Sequence, residues 1–150
     1  MTTAELDGTV RQWFERFGEC CAAVDYETAA TLFADDVVVC GTKMDIVSGL
    51  ESLMAHQWKG IWPNIREFRF DLDSLRSGGD DGFAWGVCQW TSVGFDEDGG
   101  TFFRPGRATV ILELRDGKWL ATHTHFSLFP DTPPRTYGEL GRLERDLSRK

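Results

Sequence analysis

A chain of 150 residues, 41% hydrophobic and 13% aromatic, has the composition of one globular domain, large enough to fold without disulfide or metal staples. Its net charge of −8 disfavours nucleic acid and anionic membrane surfaces as partners, because both carry the same sign. The N-terminus lacks a basic region followed by an apolar run, and no run approaches the roughly 18 apolar residues of a membrane span, so the expected location is the cytoplasm.

Leu6, Val10, Trp13, Phe14, Phe17, Cys21 and Val24 recur at three- and four-residue steps. They predict a helix over about 4–24, opened by a Thr2/Glu5 capping box. Asp25 can cap a short second helix with Tyr26, Ala29, Ala30 and Phe33 inward, and 37–40 reads as a buried strand. A third helix is expected to open at Ser48, with Glu51 completing a capping box. It would present Leu50, Leu53, Met54, Gln57, Trp58 and Ile61, and end before Pro63. From there the period becomes alternating. Strands are predicted over 67–75, 83–95, 101–115 and 118–129, and Asp116-Gly117 is a hairpin turn signal. Helices followed by hairpins give an α+β layout. The expected domain is 1–130; Pro130, Pro133 and Pro134 set off a tail, 131–150, which can form a weak helix from Tyr137 to Leu147.

Cys20, Cys21, Cys40 and Cys88 show no C-x-x-C spacing and read as small buried hydrophobes. No G-x-G-x-x-G or P-loop motif is present, so no cofactor is expected. His123 and His125, with only His56 besides, fall short of a zinc ligand set, so no metal is expected either.

Alternation puts Trp119, Ala121, His123, His125, Ser127 and Phe129 on one face of the last strand. If that face looks inward, His125 is a candidate general acid/base, oriented by Ser127 and flanked by His123. Otherwise the histidines are structural or interfacial. Arg107 could bind a carboxylate or enolate oxygen, or pair with Glu113, and Gln89 could add neutral hydrogen bonds. Trp13, Phe17, Trp58 and Trp62 suit either a core or the wall of a pocket for a small, largely apolar organic ligand.

Three stretches carry a family resemblance: Leu32-Phe33-Ala34-Asp35-Asp36-Val37-Val38-Val39, the helix opening Ser48-Gly49-Leu50-Glu51-Ser52-Leu53, and a closing hairpin. The hairpin comprises Gly106-Arg107-Ala108-Thr109-Val110, Asp116-Gly117-Lys118-Trp119 and His123-Thr124-His125-Phe126-Ser127. Their order over about residues 5–129 resembles the nuclear transport factor two-like superfamily, in its SnoaL-like and ketosteroid isomerase-like group. The resemblance implies a cone-shaped roll, with three N-terminal helices on a strongly curved, mostly antiparallel sheet. It also implies a conical pocket and a homodimer through the outer sheet face. The isomerase's catalytic aspartate matches Gly41 here and its oxyanion tyrosine matches Phe17, so isomerisation by that mechanism is not expected. Two functions stay open. One is an enzyme using acid/base chemistry, of isomerase, cyclase, dehydratase or hydrolase type. The other is a non-catalytic ligand-binding or oligomerisation module.

Overall fold

The computed structural model describes residues 1–138. Helix α1 spans Thr3–Ala23 behind the expected capping box: Glu5 N–H donates to Thr2 Oγ1 while Thr2 N–H donates to Glu5 Oε2. Its buried stripe includes Leu6, Val10, Trp13, Phe14, Phe17 and Cys21, the face the periodicity predicts. The helix ends at Val24 with φ 53 and ψ 44, a left-handed conformation that a β-branched side chain opposes. Helix α2, Tyr26–Ala30, is capped by the Asp25 carboxylate, which accepts the Thr28 N–H. On it only Ala29 is fully buried, so the expected inward face is narrower than its spacing suggested.

Strand β1 runs over Phe33–Cys40, four residues earlier than the expected start at 37. A short strand β2, Ile46–Ser48, pairs antiparallel with it. Ser48 is thereby taken up by the sheet, and the third helix opens from Gly49 (φ 95) with no side-chain cap, not from the predicted capping box. That helix is composite: α3 over Leu50–Leu53, a π-helical turn over Met54–Trp58, α4 over Lys59–Ile61, and a 3-10 turn over Trp62–Asn64 containing Pro63.

The remaining strands are β3 (Arg66–Gly79), β4 (Phe83–Phe95), β5 (Thr101–Arg115) and β6 (Lys118–Leu128). The single sheet has the order β2-β1-β6-β5-β4-β3, antiparallel throughout except for the parallel β1–β6 pair. The fold is therefore α+β, with helices packed on a curved, mostly antiparallel open sheet. Asp116 (φ 51) and Gly117 (φ 79) make the predicted tight hairpin turn. Phe68, Phe70, Ala84, Cys88, Trp90, Ala108, Val110, Leu112 and Ala121 form the inner face and bury against the helices in one core.

One irregularity decides which residues reach that core. In the β5–β6 pair Ile111 opposes His123 but Leu112 opposes Ala121, so Thr122 is an inserted residue, a β-bulge. Ala121 is buried before it and Thr124 after it, so the side-chain parity switches at Thr122. The expectation that His123, His125 and Ser127 line the cone is thereby corrected: they lie on the outer face.

No helix among the described residues is long and apolar enough to cross a membrane. Past β6 the chain returns to the sheet edge, where Tyr137 N–H donates to Phe95 O and Thr136 Oγ1 donates to Asn64 O. Beyond Gly138, the helix expected up to Leu147 lies outside the described residues.

Candidate functional site

A cavity opens between the inner sheet face and the helices. Its walls are Phe17 and Cys21 of α1, Phe33 of β1, Gln57, Trp58, Ile61 and Trp62 of the composite helix, and Phe68, Trp90, Arg104, Thr124 and Phe126 of the sheet. The recess measures ≈ 490 Å³ including the part continuous with solvent, of which ≈ 40 Å³ is open to the centre of a water-sized sphere. The rings interlock: Trp58 stacks on Trp62 at 4.8 Å and 18°, and Phe17 meets Phe33 edge-on at 5.0 Å. The π-helical turn carries both Gln57 and Trp58, and such turns interrupt helices frequently at functional sites.

Arg104 is the cavity's cation, and its side chain is almost wholly enclosed, at 3% exposure. Its Nη2 donates to Thr42 Oγ1 at 3.0 Å and its Nη1 reaches Ser92 Oγ at 3.5 Å, while the guanidinium sits 5.4 Å from the Trp90 ring centroid. Among the described residues it has no carboxylate partner. Its Nε and the neighbouring Trp90 Nε1 are both buried without an acceptor. Burial pushes the guanidinium pKa down to about 10, so it stays charged at neutral pH. Two glycines shape this end of the cavity. A Cβ on Gly106 would collide with the Trp90 ring, so glycine lets the indole approach β5 closely. A Cβ on Gly41 would collide with Gln57 Nε2, so the Gln57 carboxamide takes up the room of a side chain at 41. Where the resemblance matches an isomerase's aspartate, this chain has a neutral amide packed on glycine. Burial raises the Cys21 thiol well above its ordinary range, which keeps it protonated and a poor nucleophile.

Of the residues singled out from sequence, Phe17, Trp58 and Trp62 line this cavity. Trp13 does not: it is buried in the core with its indole N–H donating to Leu32 O at 3.0 Å, and it borders a separate groove beside Arg16 and Lys118. Gln89, Arg107 and Ser127 form one row across β4, β5 and β6, on the outer face. Arg107 Nε donates to Ser127 Oγ at 3.2 Å, so the hydroxyl meant to orient His125 is engaged elsewhere. His125 stands exposed between Thr109 and Cys40, and His123 Nδ1 donates to Val38 O at 2.7 Å. The sequence reading thus gathered a real cluster but put it on the wrong side of the sheet, because alternation was carried through the Thr122 bulge. It missed Arg104, Gln57 and Thr124 as cavity residues. A signal for Arg104 existed: it shares parity with Ala108, Val110 and Leu112, an arginine in the apolar register of β5.

A SnoaL-like domain profile matches residues 10–122, most of the chain. The chain belongs to the SnoaL-like domain family. This SnoaL-like protein also resembles many solved structures. A nuclear transport factor 2-like superfamily protein from Salmonella enterica serovar Typhimurium superposes with a TM-score of 0.74 at 14% identity, covering 88% of this chain and 96% of that one. A ketosteroid isomerase-like protein from Erwinia carotovora atroseptica gives 0.73 at 12% identity, covering 88% and 100%. An NTF2-like protein of unknown function from Pseudomonas putida gives 0.69 at 21% identity, covering 93% and 97%. At these identities the likeness shows the fold. No curated protein sequence matches.

Proposed function

We propose that this SnoaL-like protein binds a small, largely apolar organic ligand in the cavity between its helices and sheet. The observation that carries this reading is an apolar, largely aromatic recess whose lining also includes Thr42, Gln57, Arg104 and Thr124, with Arg104 bonded to Thr42 and Gln57 packed on Gly41. A ring-bearing body would lie against Phe17, Trp58 and Phe126 while a polar end meets that group. Acid/base catalysis by His125 is not part of the reading, since the imidazole lies across the sheet from the cavity. Among the described residues, the ionisable groups that line the recess, Arg104 and Cys21, both hold their protons at neutral pH, which favours a binder over a base catalyst. Titration of the protein with single-ring probes, followed by tryptophan fluorescence and by NMR, tests it. Shifts confined to Trp58, Trp62 and Trp90 support the site, and shifts confined to Trp13 and Trp119 place the ligand elsewhere and end the proposal.

A second reading concerns the outer face and is compatible with the first. Trp85, Ile111, His123 and Val38 lie in one row across four strands, beside Val87 and Phe83. An exposed apolar band of this kind suits pairing with a second copy of the chain. Cytoplasmic placement fits the four free thiols.

A further inference from the structure

We infer that the ligand is a monocarboxylate on a single planar ring, its carboxylate held jointly by Arg104 Nε and Trp90 Nε1. This rests on the cavity being the binding site. Two N–H donors lie on side chains that both line the cavity, with the guanidinium 5.4 Å from the indole centroid; both donor atoms lack an acceptor and are sealed from the open space, so a ligand reaches them by parting the two side chains. Buried donors are rarely left in that state, so the pair describes the complement of what is missing. One of the donors belongs to an enclosed cation with no described carboxylate partner. A buried charge of that kind is costly until an opposite charge arrives, so the missing acceptor is an anion and not a neutral carbonyl.

The chemistry narrows further. A carboxylate presents two oxygens in one plane and takes one donor on each, with a single negative charge to match the single guanidinium. A phosphate would bring close to two charges and more acceptor oxygens, and among the described residues the cavity lining offers it no second cation. An inorganic anion or a short acid would meet the polar end alone and make no use of the apolar lining of Phe17, Trp58 and Phe126. The recess, ≈ 490 Å³ with its solvent-continuous part, suits a body of one ring better than a fused ring system. Arg104 and Trp90 are thus the residues that set which ligands are accepted, and Gly106 is the residue that lets them sit together.

The experiment compares benzoate, benzamide and acetate on the wild-type protein by NMR titration, then repeats it on Arg104→Met and Trp90→Phe. Benzoate and benzamide have nearly the same shape and differ in charge, whereas acetate keeps the charge and loses the ring. Benzoate is expected to bind at least tenfold more tightly than either. Its advantage over benzamide should vanish in Arg104→Met and shrink severalfold in Trp90→Phe. Benzamide binding as tightly as benzoate in the wild type overturns the carboxylate inference and leaves the cavity reading standing. Acetate matching benzoate overturns the ring. If no probe shifts the cavity resonances, the cavity reading fails and the inference falls with it. The wild-type comparison is decisive even if a variant does not fold.

Discussion

Arg104 is a residue whose place in the apo protein is hard to explain by stability. An enclosed guanidinium without an anion, bonded to two hydroxyls, weakens the fold unless something binds it. Arg104→Met is therefore expected to leave the unliganded protein as stable as the wild type, or more stable by about 1–4 kcal/mol, in urea unfolding. A loss of several kcal/mol would mark the arginine as a structural residue. Val24 presents the opposite opportunity. It is the left-handed C-cap of α1, and its N–H returns to the carbonyls of Cys20 and Cys21. Glycine adopts that conformation without the Cβ clash, so Val24→Gly is expected to gain about 1 kcal/mol, read from the urea midpoint at unchanged slope. Parity along β5 would have revealed Arg104 from the sequence. Nothing local to residue 24 announces its backbone angles.

At the scale of elements, α2 is only five residues long and depends on its cap. Hydrogen bonds from Thr28, first its side chain and then its backbone N–H, hold the Asp25 carboxyl below its ordinary value of 3.8. The folded state therefore binds that proton less readily than the unfolded state does. The cap's contribution is present above about pH 4 and is lost as pH falls through the lowered pKa. Asp25→Ala should lower the urea midpoint at pH 7 and flatten its decline between pH 4 and pH 2; an unchanged decline would assign the acid sensitivity to other carboxylates. β5 makes a second test. Gly106→Ala pushes a methyl group into the Trp90 ring and toward the Ser127 carbonyl, so a loss of about 1–3 kcal/mol is expected, with displaced Trp90 fluorescence. Wild-type stability in that variant would mean the indole has room to move. α1, β4 and β5 were legible because their side-chain periods are unbroken. The three-residue β2 and the π-helical turn were not, since each depends on a neighbour and not on its own pattern.

For the whole molecule, the outer sheet face remains open in the single chain, with Trp85 and Val87 each 38% exposed and Phe103 67% exposed. If this face pairs with another copy, Trp85→Glu should shift sedimentation toward the monomer while leaving far-UV circular dichroism unchanged. An unaltered sedimentation coefficient would remove the outer face as an interface. The amino-acid sequence by itself determined the helix-then-hairpin order, the buried stripe of α1, the Asp116-Gly117 turn and the aromatic supply of the cavity. Those features follow from short-range periodicity and turn chemistry, which a chain carries locally. Only the tertiary structure decided which residues of β6 look inward. The extra residue at Thr122 reverses parity in β6 and sends His123, His125 and Ser127 outward, while the unbroken register of β5 turns Arg104 in. A bulge is defined by pairing between two strands, so the physical reason is that the single strand's sequence does not contain it.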